Sequence, residues 1–234
     1  MRNWKSFWQN YRVVEIKTKE DLLYQVGKTV GGKVIPSNQF KKDIDEIVFN
    51  LSLNKNDVLL DLCCGNGILS YQLSSYVKQT IGIDFSKIYI ENANKYCKKD
   101  NIDYREVDLL NSNELKKILN EYQPNKILMN DCLAYFEPNN LKSIVSELSE
   151  LSVTILVSGI LDQSKKWKFY NTLKRKLFYL ADVIFFNNRS GIGYWWTKKE
   201  ITTIADDNKF KATFFEHYQE NHMAHYRFNA KLEK

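Results

Sequence analysis

The chain has 234 residues, 44% of them hydrophobic, and a formal charge of +6. That length buries one sizeable core and is short for two domains, so a single elaborated domain is expected. No apolar run approaches the roughly 18 residues of a membrane span, and residues 1–10 (MRNWKSFWQN) lack the apolar stretch of a secretory signal; a cytoplasmic protein with no membrane partner is expected. Cys63, Cys64, Cys97 and Cys132 form no C-x-x-C pair, which argues against a disulfide frame or a zinc site. The positive charge is spread along lysine-rich stretches. This fits a solvated surface or an anionic small substrate better than a nucleic acid.

In chain order, helices are expected over 19–27 and 38–51; in the second, Phe40, Ile44, Ile47, Val48 and Leu51 recur at helical spacing and mark a core-facing stripe. The T-V-G-G-K-V-I-P between them is punctuated as a loop. Residues 24–33, beginning at Tyr24, read either as a glycine-hinged lid or as a plain surface connection. Gly27-Lys28-Thr29 fails as a phosphate loop, because no glycine stands five residues earlier and no strand leads into it. Residues 1–53 are thus read as a helical, lid-bearing segment before the main domain at 54–234.

Residues 57–67, D-V-L-L-D-L-C-C-G-N-G, organise the rest: an apolar run for a buried parallel strand, an acid, then a glycine turn into a helix. Gly65 and Gly67 let a ligand approach the backbone, and the helix start offers unpaired N–H groups. Beyond it, helices are expected over 68–77, from an N-cap at Ser86 to 99, over 113–122 and over 139–150. Strands are expected over 79–84, 102–107, 126–129 and 153–157. This alternation implies an α/β, doubly wound, mostly parallel sheet with helices on both faces. Asp61, Asp84, Asp108 and Asp131 then end strands along one rim, where such sheets bind ligands. Asp84 is placed to accept both hydroxyls of a ribose. Ser70 stands where a dinucleotide fingerprint would carry its third glycine, so a pyrophosphate has little claim on the loop.

D-L-C-C-G-N-G resembles the first motif of class I S-adenosylmethionine-dependent methyltransferases, usually D-x-G-x-G-x-G, with Cys63 at the first glycine. I-G-I-D-F-S, Y-R-E-V-D-L-L and K-I-L-M-N-D-C-L-A-Y-F resemble the family's second-, third- and fourth-strand motifs, and the likeness spans residues 54–159. Residues 210–215 and 225–232 read as alternating strands, and the resemblance implies a Rossmann-like fold with a seven-stranded sheet whose antiparallel end they fit. It implies S-adenosylmethionine as cofactor: Asp61 and the backbone of Cys63, Cys64, Gly65, Asn66 and Gly67 around the methionine part, Asp84 on the ribose, Phe85 on the base, and Asp108 and Leu109 at the adenine. Ser86, Asn130 and Tyr24 are counted with that site. Structural readings stand beside these: Asp61 can bond its own loop, Asp108 can cap a turn, and Phe85 can be core.

The substrate side is assigned to an insertion over 160–196. Its W-K-F-Y-N-T-L-K-R-K-L-F-Y-L reads as an amphipathic helix packing Trp167, Tyr170, Leu173, Leu177 and Leu180 inward, or as an aromatic-basic RNA surface. N-R-S-G-I-G-Y-W-W is expected to wall a small-molecule pocket, and Thr197 with Glu200 to form a capping box. Methyl transfer to a hydroxyl requires alignment and removal of a proton. Among His217, His222 and His225, His225 is the preferred base, with His217 second and Asp131 a rival. Asp131 could instead bind a divalent metal with Asp162, although no metal is expected. No N-P-P-Y or D-P-P-Y follows the fourth strand, and W-K-F-Y-N-T, G-Y-W-W and A-H-Y-R-F are similar to methyltransferases of bacterial surface-polysaccharide precursors. The expected acceptor is a polar or anionic small molecule, a sugar or a phosphorylated, nucleotide-linked precursor methylated on oxygen. An RNA methyltransferase and a non-catalytic cofactor-binding protein are the alternatives, and the oligomeric state is left open.

Overall fold

The computed structural model describes residues 4–186 and 192–234. Its N-terminal part holds α1 (Trp4–Asn10), α2 (Lys19–Gln25), the short strands β1 (Thr29–Val30) and β2 (Lys33–Val34), and α3 (Ser37–Leu51). Thr18 and Asp21 close a capping box at the start of α2. Gly31 and Gly32 both take positive φ, 57° and 82°, as a tight hairpin turn demands, so the expected loop is a small antiparallel ladder.

β3 (Val58–Leu62), β4 (Gln79–Asp84), β5 (Ile102–Glu106), β6 (Lys126–Asn130) and β7 (Thr154–Leu161) run parallel and alternate with α4 (Ile68–Leu73), α5 (Lys87–Tyr96), α6 (Ser112–Tyr122) and α7 (Pro138–Leu148). After α8 (Lys166–Phe169), α9 (Leu173–Phe186) and α10 (Lys198–Asp207), β8 (Lys211–Phe215) and β9 (Arg227–Glu233) complete the sheet as an antiparallel pair. The order is β5-β4-β3-β6-β7-β9-β8. Chain direction across the sheet therefore reverses between β3 and β6, which opens a crevice at the carboxyl ends of those strands.

Both faces of the sheet are dry because alternate strand residues feed two cores. Leu60, Ile81 and Ile127 pack with Leu115, Ile118, Leu141 and Ile201 from α6, α7 and α10. Leu59, Leu128 and Leu156 pack with Ile44, Leu73 and Ile90 from α3, α4 and α5 on the other side. Each such fully buried aliphatic side chain stabilises the fold by about 1.5–3 kcal/mol. Strand and helix ends differ from the sequence reading in detail. α4 stops four residues early, where Ser74 Oγ donates to the Tyr71 carbonyl at 2.8 Å. β7 runs four residues further, held to β9 across an irregularity between Val157 and Ile160.

The insertion departs more. Its chain turns at residues 170–172, so Trp167 lies on one short helix that Tyr170 caps and the leucines lie on the next, and the single inward stripe does not form. Tyr170 is buried, whereas Trp167, Leu173, Leu177 and Leu180 face outward. The first four positions of the N-R-S-G-I-G-Y-W-W loop, 188–191, lie outside the described residues. Trp195 and Trp196 beyond them are buried, and Trp196 bridges to Asp162 beside β7.

Candidate active site

The loop between β3 and α4 is left-handed at three positions: Cys63 at φ 62°, Gly65 at 57° and Gly67 at 75°. Glycine is required at the last, since a Cβ there would stand 2.6 Å from the Tyr104 ring. Cys63 takes the same backbone region with a side chain, so the substitution at the first glycine position is accommodated as strain. Two contacts tie the loop to the next strand: Cys64 N–H donates to the Ile83 carbonyl at 3.0 Å, and Gly65 N–H donates to Asp84 Oδ2 at 3.0 Å. Asp84 Oδ1 accepts from Ser86 N–H at 2.9 Å.

A cavity of about 180 Å³ opens over this loop. Asp61, Cys63, Cys64, Gly65, Asp84, Phe85, Asp108, Leu109 and Asn130 all line it. Asp61 is buried and accepts from Ser70 Oγ, with no cation in ion-pair contact among the described residues. Burial pushes its carboxyl up to about 7 and that of Asp84 up to about 6. Such acids are poised for a cation and for hydroxyl donors. The wall near Asp108 is apolar, built from Val107, Leu109 and Phe85, and suits a flat base. These features fit the methionine, ribose and adenine parts of S-adenosylmethionine.

Over the mouth lies α1, which the sequence reading missed. Trp4 and Trp8, four residues apart, pack on Tyr135 with ring centroids at 4.9 and 5.2 Å, and Lys5 pairs with Asp108. At the far end stands Asp131, just past β6 with φ 56°. Lys28 Nζ and an Arg227 guanidinium nitrogen each reach its carboxylate at 2.7 Å. Burial opposes its ionisation, but Lys28 and Arg227 outweigh that and hold the carboxyl well below the usual carboxylate range. Gly159 makes the room: a Cβ there would fall 2.0 Å from Asp131 Oδ1. Neither Lys28 nor Arg227 was identified from the sequence, although Lys28 sits in the G-K-T that fails as a phosphate loop.

Several expected site residues lie elsewhere. Tyr24 packs under the Arg12 guanidinium at 4.2 Å and does not line the cavity. Asn66 is buried and donates to the Leu22 carbonyl and to Gln25, tying the loop to α2, while Gly67 and Ser86 serve the backbone around the site. His225 is exposed in the turn before β9, edge-on to Tyr226, and off the cavity. His217 is buried against Glu46, Nδ1 to Oε2 at 2.9 Å, behind the Asp131 cluster, and His222 holds Gln39. None of the three histidines lines the cavity. Asp162 is turned to Ser164 N–H and Oγ, away from any shared ligation with Asp131.

A family model described as a methyltransferase domain matches residues 53–214. The chain belongs to this family. The family uses S-adenosylmethionine as its methyl donor. Among solved structures the chain resembles a SAM-dependent methyltransferase from Anabaena variabilis, with a TM-score of 0.61 at 20% identity, covering 98% of this chain and 93% of that one. It also resembles magnesium protoporphyrin IX methyltransferase from Synechocystis with bound SAH, with a TM-score of 0.59 at 16% identity, covering 99% of this chain and 94% of the other. Among curated proteins it is 27% identical over 138 residues to the 23S rRNA (uracil(1939)-C(5))-methyltransferase RlmD of Francisella tularensis subsp. novicida, covering 55% of this chain and 31% of the relative. The methyltransferase thus spans about a third of the length of the first curated relatives it matches. A probable cobalt-precorrin-6B C(15)-methyltransferase of Methanococcus vannielii is 24% identical over 72% of this chain and 91% of its own.

Proposed function

We propose that this methyltransferase acts on an oxygen of a polar small-molecule acceptor, a sugar or a phosphorylated, nucleotide-linked precursor of a surface polysaccharide. The observation that carries this reading is the clamped carboxylate of Asp131 at the polar end of a cavity roofed by α1. Asp61 is assigned to the cofactor's ammonium, Asp84 to the ribose hydroxyls, and Phe85, Leu109 and Asp108 to the adenine. The bound cofactor supplies an electrophilic methyl on a sulfonium. Asp131, an acceptor-only group, takes a hydrogen bond from the acceptor hydroxyl and turns its oxygen toward that methyl. Because the two cations lower its basicity, the proton leaves the hydroxyl as the C–O bond forms, not before, and passes to water. Lys28 and Tyr135 also line the cavity and suit an anionic or hydroxyl-rich acceptor.

The test is methyl transfer from labelled cofactor to a panel of nucleotide sugars, sugar phosphates and RNA. Label in a small acceptor is expected, and Asp131→Asn should lower turnover about a hundredfold while cofactor affinity stays near wild type. His225→Ala should leave turnover unchanged. Label in RNA alone would replace the small-molecule reading with the RNA one.

A further inference from the structure

Seven of the thirteen large apolar side chains exposed among the described residues fall between 167 and 185. Trp167, Leu173, Leu177, Leu180, Ile184 and Phe185 are 50–77% exposed. On α9, Leu173, Leu177, Leu180 and Ile184 follow the i, i+4, i+7, i+11 spacing of one helical stripe. The same stretch is strongly cationic: residues 163–181 carry six lysines and arginines and no acid. Lys168, Lys174 and Lys176 have no carboxylate partner among the described residues. The inner side of the helix is anchored to the body. Tyr179 stacks against buried Tyr170 at 4.9 Å and meets Lys166 at 3.0 Å, and Tyr170 joins a cluster with Trp195, Tyr226 and Ala134. The outer stripe is therefore held out, not folded in.

We propose that α8 and α9 form a docking surface for an anionic lipid bilayer, with α9 lying in the plane of the interface. An apolar stripe beside unpaired lysines, with a tryptophan at its edge, is the composition of interfacial helices, and an anionic headgroup layer complements the charge. No helix among the described residues is long and apolar enough to cross a membrane, so the contact is adsorption at the surface. This departs from the sequence expectation of no membrane partner, which rested on the lack of a spanning run and of a secretory signal. The docked face adjoins the active site through the aromatic cluster, in which Tyr135 packs against Ala134 and its neighbours. The proposal does not depend on which acceptor the enzyme methylates.

Co-sedimentation with vesicles tests it, using phosphatidylcholine alone and an equal mixture of phosphatidylcholine and phosphatidylglycerol. The full chain should partition onto the mixed vesicles, be released by added salt, and bind neutral vesicles weakly. Joint replacement Lys168→Gln, Lys174→Gln and Lys176→Gln should reduce partitioning about a hundredfold, from roughly 1 kcal/mol for each lysine near the surface. Leu173→Gln with Leu177→Gln and Ile184→Gln should also abolish it, while titration with S-adenosylhomocysteine reports an intact cofactor site in both variants. Failure to bind mixed vesicles, equal binding to neutral ones, or variants that bind as wild type does would overturn the proposal. So would a dimer in sedimentation velocity that the apolar variant dissolves, which assigns the stripe to a second copy. Binding to polyuridylate in preference to vesicles would assign it to RNA.

Discussion

At Gly67 the ring of Tyr104 leaves no space for a methyl group, and the Tyr104 hydroxyl donates to the Gly67 carbonyl at 3.1 Å. The backbone is also left-handed there. Gly67→Ala therefore meets both backbone strain and a clash with a buried ring, and should destabilise the protein by about 1–3 kcal/mol. Cys63 has the same backbone sign without a matching need for glycine. Cys63→Gly relieves strain in the folded state but loosens the unfolded chain, two effects of similar size. Its stability should lie within about 1 kcal/mol of wild type. Urea denaturation of the pair checks this, and a Gly67→Ala variant as stable as wild type would refute the close-packing account. Asp131 shows what sequence could not convey at this scale. Its place at a strand end was legible from the apolar run before it, but the partners that hold it ionised lie 103 and 96 residues away, and no local spacing announces them.

Among the elements, α1 is the one whose role most outruns its size. It has seven residues and buries none of them, yet Trp4 and Trp8 roof the cavity and Lys5 reaches Asp108. An isolated helix this short is unstable in water, so its order rests on those interactions. Trp4→Ala together with Trp8→Ala should weaken S-adenosylhomocysteine binding about tenfold, the size of one lost aromatic contact with the ligand at about 0.5–1.5 kcal/mol. The urea midpoint should hardly move, because the main cores lie elsewhere. Calorimetry showing unchanged affinity would remove α1 from the cofactor site. The strands were readable because short, β-branched or leucine-rich runs with an acid at or near the end admit few other readings, as in β3 (VLLDL) and β4 (QTIGID). α1 was not, for so short a helix of aromatics has no repeat to detect. α9 was read as a helix and placed facing the wrong way, since helical spacing defines a stripe without saying whether core or solvent lies opposite it.

For the whole molecule, the cofactor cavity couples stability to pH. Unfolded aspartates titrate near 3.9, whereas folded Asp61 and Asp84 titrate at about 7 and about 6. Between those values the free folded protein holds protons that the unfolded chain has released. Raising pH through that window therefore favours unfolding: these two groups give stability that is greatest below about 4 and falls as pH climbs to about 7. Asp131 acts oppositely. Its carboxyl titrates lower folded than unfolded, so its contribution is present above about 3.9 and is lost in stronger acid. Binding inverts the trend for Asp61, because a ligand ammonium pairs only with the ionised form. Affinity for S-adenosylhomocysteine should then rise with pH and level off above about 7, with a proton released on binding at pH 6 and almost none at pH 8. Calorimetry in buffers of different ionisation enthalpy measures that proton directly. Methylthioadenosine, which lacks the amino-acid tail, isolates the cause: its affinity should lose the Asp61 component and keep only the dependence set by Asp84. In Asp61→Asn the rise toward pH 7 should vanish for S-adenosylhomocysteine, leaving for both ligands only the dependence set by Asp84. If the full ligand binds equally at pH 6 and pH 8, or releases no proton at the lower value, Asp61 does not receive the ammonium and the methionine part of the cofactor must be held by another group of the cavity.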